Sequence, residues 1–123
     1  MKTGEILERL RRLRVLVVGD ICLDRWCTYD PACALESAET GIPRIAVTKV
    51  EVTPGAGGTI ANNLAALGVG LLAPVTVIGD DGHGFDLLKE LRKLPVDTSH
   101  ILCAADRLTP TYTKPMRPDA GGT

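Results

Sequence analysis

The sequence predicts an α/β fold of three layers, because runs typical of buried parallel strands alternate with amphipathic helical patterns. Residues 14–19 (RVLVVG) and 73–79 (APVTVIG) are continuous, largely β-branched runs of strand length, and the first predicts a parallel strand that is buried on both faces. Both runs end in glycine and are followed by an acidic residue, Asp20 and Asp80. Ligands in open α/β sheets bind outside the carboxyl ends of the strands, so Asp20 and the nearby Asp24 are predicted to lie close to a ligand.

The other elements are predicted from periodicity and from the positions of glycine and proline. Helical patterns cover 5–14, the stretch that runs up to Gly68, and 84–94. Weaker strand patterns lie within 42–53, 100–103 and 109–117. Residues 27–41 are predicted to be loop with a short strand, and 119–123 a loop. The alternating polarity within 42–53 indicates a flap that projects from the sheet, and two strong parallel strands are few for a complete sheet.

A glycine-dense stretch, residues 54–68 (PGAGGTIANNLAALG), is predicted to contact the ligand. A turn over 55–58 leads directly into a helix on which Ile60, Leu64 and Leu67 form one apolar stripe. Glycine lets the backbone approach a ligand closely, and the first N–H groups of a helix have no partner within the helix. Such a turn favours an anionic or oxygen-rich ligand, a phosphate or a polyol.

Composition excludes several classes of function. At 123 residues the chain has the length of one domain, and its 45% of apolar residues suffices for a core. A net charge of -1 and an aromatic content of 3% argue against nucleic-acid binding. No apolar run reaches the ~18 residues of a membrane span, and the run after the basic N-terminal segment is too short for a signal peptide. A cytoplasmic protein without a membrane partner is therefore expected.

The four cysteines are predicted to be free thiols in a reducing compartment. They are Cys22, Cys27, Cys33 and Cys103. Their spacing fits no zinc pattern, so no metal site is predicted, although a metal site and disulfides stay open as alternatives.

Asp24 is the residue to which the local pattern assigns binding chemistry. An ionised carboxylate accepts two hydroxyl groups side by side, which is how proteins commonly hold polyols. The alternatives are that Asp20 caps a turn and that Asp24 pairs with Arg25 or caps a helix. Asp81 is predicted to be the N-cap of the following helix. Neither a P-loop nor a nucleophile with a neighbouring base is recognisable in the sequence.

Four motifs in this order resemble the N-terminal part of the ribokinase (PfkB-type) carbohydrate kinase family. They are 17–20 (VVGD) with 23–25 (LDR), 54–68, 77–84 (VIGDDGHG) and 110–114 (PTYTK). Within the family, the segments GDICLDRW, ETGIPRIAV and TYTK are most similar to the heptose 7-phosphate kinases. The resemblance covers nearly the whole chain. It implies an incomplete ribokinase-like, Rossmann-like three-layer sandwich with inserted β-lid strands, within 27–53 and 109–117.

The resemblance also implies ATP-dependent phosphorylation of a hydroxyl on a sugar or sugar phosphate, usually with Mg²⁺. The residues that it assigns to the substrate are Asp24, Gly55, Ala56, Gly57, Thr59, Thr111, Thr113 and Lys114. The family's nucleotide site and catalytic aspartate lie in a C-terminal half that this chain lacks, so we expect it to bind ATP weakly and to be inactive alone. The resemblance further implies a homodimer that pairs through the lid strands.

Two departures from the family pattern concern substrate preference. The family usually has glycine where this chain has Ala56, and asparagine where it has Thr59. The extra methyl group and the shorter hydroxyl are expected to change which sugar hydroxyls fit. The alternatives to a sugar-binding part of a kinase are a non-catalytic oligomerisation or regulatory module and a truncated gene product. In each case an unfinished sheet leaves apolar faces uncovered, so poor solubility or oligomerisation is expected.

Overall fold

The computed structural model describes residues 2–118 and contains helices, two three-stranded sheets and a short hairpin. The helices are α1 (Thr3–Leu10), α2 (Gly57–Ala66) and α3 (Gly82–Leu91). The strands are β1 (Arg14–Val18), β2 (Ile21–Tyr29), β3 (Leu35–Glu36), β4 (Pro43–Arg44), β5 (Val47–Ala56), β6 (Leu71–Gly79), β7 (Ile101–Ala104) and β8 (Thr111–Met116). This order of parallel strands and helices confirms the predicted α/β fold.

The core sheet consists of β1, β6 and β7, in the order β1–β6–β7 and with both pairs parallel. Parallel neighbours need a crossover connection, and α2 and α3 lie in the connections that lead into and out of β6. Val17 and Leu72 pack with Ala61 of α2, and Ile78 packs with Leu87 of α3. One face of the core sheet is therefore covered by helices.

The prediction that β1 is buried on both faces is wrong. Leu16 and Val18 are 60% and 72% exposed, and Leu102 of β7 is 64% exposed. Alternation along the strands places all three on the face that points away from α2 and α3, since Val17 and Ile78 point toward the helices. No element within residues 2–118 covers these three side chains. We call this surface (Leu16, Val18 and Leu102) the open sheet face.

The lid sheet has the order β5–β2–β8, so β2 lies between two partners. β5 pairs with β2 antiparallel, and β8 pairs with it parallel, starting with Thr111 opposite Leu23. Leu23 and Val52 pack with Leu87 of α3, so one face of the lid sheet shares a core with the helical layer. The β3–β4 hairpin lies in the connection between β2 and β5.

Several predicted boundaries are wrong, mostly those of the strands in the lid sheet. The loop predicted over 27–41 starts with strand, because β2 continues to Tyr29, although β3 is the short strand expected within it. The lid strands exceed the range 27–53, since β2 begins at Ile21 and β5 ends at Ala56. Helix α1 ends at Leu10 rather than at residue 14. Each lid strand is held by hydrogen bonds to residues far away in the sequence, which local patterns do not report.

The other predicted elements are confirmed. The structure has a strand, a helix and two further strands where the sequence predicts them, as β6, α3, β7 and β8. Cys22, Cys27, Cys33 and Cys103 are free thiols. The loop predicted over 119–123 lies outside the described residues.

Within the described part of the chain, no helix combines the length and the apolar character that a membrane span needs.

Candidate functional site

Asp24 lies on the face of the lid sheet that points away from α3. Side chains alternate along a strand, so Asp24 and Trp26 share one face of β2, while Leu23 points to the opposite face and into the core. The partners directly opposite Asp24 are Thr53 of β5 and Tyr112 of β8, and Lys114 lies opposite Trp26. We call this surface (Asp24, Trp26, Thr53, Tyr112 and Lys114) the polar lid face.

An ion pair occupies the middle of the polar lid face. The Nζ atom of Lys114 lies 3.2 Å from Oδ2 of Asp24, and the two side chains are 38% and 20% exposed. The same Nζ atom lies 4.1 Å from the centre of the Trp26 ring, within reach of a cation–π interaction. Trp26 in turn donates its Nε1–H to the hydroxyl of Thr53, at 3.3 Å. The four side chains form one connected polar network.

The network is stable enough to orient its members and weak enough to open. A partly exposed ion pair contributes about 0.2–1 kcal/mol to stability, so a ligand that replaces one partner meets little resistance. A lysine ammonium has three donors and a carboxylate has two acceptor oxygens, so both groups retain capacity for a ligand while they remain paired. The polar lid face can therefore bind a ligand that carries hydroxyl groups.

Gly55 lies directly beneath the Asp24 carboxylate. A Cβ atom at position 55 would lie 2.7 Å from Oδ2 of Asp24 and 2.7 Å from Sγ of Cys22, closer than such atoms approach one another. Gly55 is buried and its absent side chain makes the space that Asp24 fills. Burial, and then the charge of Asp24, raise the pKa of the Cys22 thiol, so this cysteine stays neutral beside the carboxylate.

The glycine turn predicted over 55–58 is wrong, because β5 runs through Gly55 and Ala56 and α2 begins at Gly57. The N–H group of Gly57 donates to the carbonyl oxygen of Asp20 at 3.0 Å, so the protein itself uses a donor that we predicted to face the ligand. A Cβ atom at position 57 would lie 3.0 Å from the same oxygen. The N–H group of Gly57 thus holds the start of α2 close to Asp20, in the segment that follows β1.

Ala56 joins β5 to α2 in a conformation that favours glycine. Its φ is 52° and its ψ is −120°, and within the described residues it is the one non-glycine residue with positive φ. An alanine there pays a steric cost that glycine avoids. The departure from the family pattern at this position is therefore accompanied by backbone strain.

Thr59 does not join the polar lid face. It lines a groove of about 370 Å³ with Asn62 of its own helix and Glu90 of α3, and the other lining residues are Thr53, Pro54, Lys93 and Leu94. Helix α3 packs against the opposite face of the lid sheet, through Leu87. Thr59 therefore lies on a different element from Asp24, and the groove that it lines includes Thr53, the residue opposite Asp24 on β5.

Thr111 and Thr113 also lie on the other face of the lid sheet. They pair with Leu23 and Arg25, the residues on either side of Asp24, whereas Lys114 pairs with Trp26. The Thr111 hydroxyl donates to the carbonyl oxygen of Thr109 at 3.0 Å. Of the three predicted residues on β8, only Lys114 shares a face with Asp24.

Sequence reasoning missed three residues of the polar lid face: Trp26, Thr53 and Tyr112. Two signals could have found the first of them. Residues 21–29 (ICLDRWCTY) have strand composition, and in a strand Trp26 stands two positions after Asp24 on the same face. Thr53 and Tyr112 carry no comparable signal, because their position depends on the register with β2.

The described residues do not fit a Mg²⁺–ATP site. No group of three or more His, Cys, Asp or Glu side chains within residues 2–118 is arranged to hold a metal ion. At the start of α2, the N–H group of Gly57 already binds the Asp20 carbonyl and is not available to a phosphate. ATP and Mg²⁺ are therefore assigned to no residue of this segment.

Comparisons with known proteins relate this chain to carbohydrate kinases. No protein-family model matches it. The bifunctional protein HldE of Sulfurimonas denitrificans is 34% identical over 96 residues, which are 78% of this chain and 20% of that protein. HldE of Acidiphilium cryptum is 34% identical over 114 residues, 90% of this chain and 23% of that protein. The chain thus spans about a fifth of the length of these curated relatives.

Solved structures give the same relationship at the level of the fold. A carbohydrate kinase from Agrobacterium tumefaciens has a TM-score of 0.64 and 25% sequence identity, over 86% of this chain and 32% of that chain. A ribokinase from Cryptococcus neoformans var. grubii in complex with ADP has a TM-score of 0.59 over 86% of this chain and 31% of that chain. At 22% identity, the second similarity concerns the fold alone.

Proposed function

Because this chain is a relative of the ribokinase (PfkB-type) carbohydrate kinases, we propose that its polar lid face binds a sugar or sugar phosphate for an ATP-dependent kinase. The observation that carries the proposal is the pair of Asp24 and Lys114, 3.2 Å apart on one face of the lid sheet. A carboxylate accepts hydrogen bonds from neighbouring hydroxyls, and an ammonium donates to hydroxyl or phosphate oxygens. Both functions suit a polyol that carries an anionic group.

The surroundings of the pair also suit a sugar ring. Tyr112 is 62% exposed and Trp26 is half-buried, so aromatic surface borders the carboxylate. The C–H face of a sugar packs on such surface while its hydroxyls reach Asp24. Because Gly55 leaves room beneath Asp24, the carboxylate sits close to the β5 backbone in a defined position. Contacts from Ala56, Gly57, Thr59, Thr111 and Thr113 to the sugar stay predictions.

The test compares sugar affinities of Asp24→Asn and Lys114→Met by calorimetry, with heptoses and hexoses in free and phosphorylated form. A hydrogen bond to a charged group is worth about 1.5–3 kcal/mol, so Asp24→Asn is expected to weaken binding about 10- to 100-fold. Lys114→Met is expected to weaken phosphorylated sugars more than neutral ones.

Asp106→Asn is the matched control, because Asp106 lies in an exposed turn after β7. It should bind sugars as the wild type does. Undiminished affinity of Asp24→Asn for every sugar tested would overturn the proposal.

For the 123-residue polypeptide by itself, we propose sugar binding without phosphoryl transfer. Phosphoryl transfer needs a base and groups that stabilise the transferred charge, and in the family these belong to the nucleotide-binding half. An ATP-dependent phosphorylation assay on this polypeptide, with the sugar that binds best, tests the statement. Clear turnover would contradict it.

A homodimer through the lid is a second proposal, and exposed apolar side chains support it. Within the β3–β4 hairpin, β5 and the segment between them, five large apolar side chains are 47–67% exposed: Leu35, Ile42, Ile45, Val47 and Val50. β5 is also an edge strand of the lid sheet, and an edge strand can pair with a second copy.

Sedimentation velocity of Ile45→Lys and Val50→Lys tests the homodimer. In a Val18→Lys background, which places charge on the open sheet face, both variants are expected to sediment as monomers, because a lysine at either position also places charge in the proposed lid interface. Leu7→Lys on α1, a residue of similar exposure, is the control and should leave the dimer intact. A wild-type chain that stays monomeric at high concentration would contradict the proposal.

We also propose a cytoplasmic location, which the cysteines support. All four are free, and Cys22 and Cys27 are buried in β2. Free thiols persist in reducing compartments, whereas secreted domains of this size commonly carry disulfides.

A further inference from the structure

We propose that Asp81 and Thr109 are positioning residues that set the place of β8, and through it the place of Lys114 opposite Asp24. Lys114 lies on β8, whereas Asp81 is the N-cap of α3 in the layer beneath the lid. In the sequence, Thr109 lies between Asp81 and Lys114, in the connection that leads from β7 of the core sheet to β8 of the lid sheet. The role of Lys114 in binding a sugar rests on the proposed function. The inference that Asp81 and Thr109 set the place of β8 does not.

Three chain segments connect the core layer to the lid sheet, and the one that leads to β8 is the longest. β1 passes to β2 through residues 19 and 20, and β5 passes into α2 without an intervening residue. β7 and β8 are separated by residues 105–110, which belong to no regular element. A connection of this length leaves the start of β8 free to shift unless a contact fixes it. Thr109 is the residue of this connection that is buried, at 5% exposure.

Thr109 is fixed by three hydrogen bonds. Its N–H donates to Oδ2 of Asp81 at 2.8 Å, and its hydroxyl donates to Oδ1 of Asp81 at 2.8 Å. The N–H of Gly79, the last residue of β6, donates to the same hydroxyl at 2.9 Å. The hydroxyl has one proton, and the Gly79 carbonyl lies farther away at 3.3 Å, so the proton belongs on Asp81. One threonine thus joins the end of β6 to the start of α3.

Two glycines allow this close approach. A Cβ atom at Gly79 would lie 2.4 Å from the carbonyl oxygen of Arg107 and 2.7 Å from the nitrogen of Thr109. A Cβ atom at Gly84 would lie 2.2 Å from the carbonyl oxygen of Gly79 and 2.9 Å from the Thr109 hydroxyl. Asp81 completes the arrangement, because it also accepts from the N–H of Gly84 at 2.7 Å. The cap of α3 and the anchor of the connection are the same carboxylate.

The contact is transmitted to Lys114 within a few residues. The carbonyl oxygen of Pro110, next to Thr109, accepts from the N–H of Leu23 at 2.8 Å. This bond starts the pairing that places Lys114 opposite Trp26, with its Nζ atom 4.1 Å from the ring. A shift of Thr109 would move the start of this pairing and withdraw Lys114 from Asp24.

The fluorescence of Trp26 measures this placement without any ligand, because Trp26 is the sole tryptophan of the chain. Wild type and Lys114→Met define the emission with and without the ammonium over the ring. Thr109→Val, which removes the hydroxyl at similar volume, is expected to shift the emission most of the way to the Lys114→Met value. Thr109→Ser keeps the hydroxyl and is expected to retain the wild-type emission.

Asp81→Asn is the second variant, for the case that Thr109→Val does not fold. Its amide nitrogen cannot accept from the Thr109 N–H, so the same shift is expected, while its oxygen can still cap α3. Leu91→Val is the control for general loosening, since Leu91 is buried in the apolar cluster beneath the lid sheet and lies ten residues, about 15 Å, along α3 from Asp81. It should lower the unfolding temperature and leave the emission of the folded chain unchanged.

Wild-type emission in the folded Thr109→Val or Asp81→Asn variant would overturn the inference, since the strand pairing alone would then place Lys114. An equal shift in Leu91→Val would overturn it as well. A sugar titration of the same samples separates the two proposals. If the emission shifts as expected but no variant or wild type binds a sugar, the positioning role stands and the proposed function fails.

Discussion

Gly55 shows at the scale of one residue how a missing side chain builds a site. The Asp24 carboxylate and the Cys22 sulfur would each lie 2.7 Å from a Cβ atom at position 55. The sequence placed Gly55 near the ligand, where its backbone was expected to be presented. In the structure, Gly55 leaves space for the Asp24 carboxylate, and this carboxylate is the group that can contact a ligand.

Gly55→Ala is expected to destabilise the chain by about 1–3 kcal/mol, the usual cost of forcing an extra methyl group into a filled space. Urea unfolding measures the free energy. Gly82→Ala is the matched control, because Gly82 has open space around the position of a Cβ atom and lies at the start of α3. Equal effects of the two substitutions would show that position 55 is not crowded.

Ala56→Gly is expected to act in the opposite direction. At φ 52° and ψ −120°, alanine carries strain of about 1–3 kcal/mol, of which the added flexibility of glycine in the unfolded chain offsets about 0.5–1 kcal/mol. The unfolding free energy should therefore rise by up to about 2.5 kcal/mol. Ala66→Gly, at the exposed C-terminal end of α2, is the comparison and should lower the unfolding free energy. A decrease in both variants would argue against strain at Ala56.

At the scale of the elements, the alternation of β2 decides which residues can act together. Cys22, Asp24 and Trp26 share one face, and Leu23 lies on the other. The same alternation in β8 separates Lys114 from Thr111 and Thr113, although the three lie within four residues of sequence. A motif such as PTYTK therefore contains residues of both faces, and only its pairing with β2 assigns each to one of them.

The N-cap of α3 predicts a pH dependence of stability. The hydrogen bonds donated by the N–H groups of Thr109 and then Gly84 hold the pKa of Asp81 below its ordinary value. Its stabilising contribution is therefore complete above the unfolded pKa of about 3.9 and is lost as the pH falls through the lower folded pKa. Asp81→Asn is expected to be less stable at pH 7 and to lose less stability on acidification. Urea unfolding between pH 7 and about pH 3 checks this. An acid-induced loss as steep as that of the wild type would contradict it.

At the scale of the whole molecule, the open sheet face determines how the polypeptide behaves in solution. Parallel sheets normally have both faces covered, and full burial of a leucine or valine is worth about 1.5–3 kcal/mol. Most of this contribution is missing for the side chains of Leu16, Val18 and Leu102, because they are exposed. We expect the 123-residue polypeptide to self-associate through this face and to be poorly soluble.

Val18→Lys and Leu102→Lys are expected to reduce light scattering at a given concentration, because they place charge on the open sheet face. Their unfolding transitions should change little, since both side chains are more than 60% exposed. The lid variant Val50→Lys is the comparison and should leave this association in place. A wild-type polypeptide that unfolds cooperatively as a soluble monomer would contradict the expectation.

The sequence by itself determined the α/β order of elements, the two strong core strands, the helix that Asp81 caps, and the relationship to carbohydrate kinases. Each of these depends on residues close together in the chain, through hydrophobic period, caps and short motifs. The tertiary structure alone decided that Asp24 and Lys114 form a pair, that Trp26, Thr53 and Tyr112 surround it, and that Thr111 and Thr113 lie on the other face of the lid sheet. These facts depend on the register of β5 and β8 against β2. A shift of one residue would exchange the two faces, and no local pattern specifies such a register between distant strands.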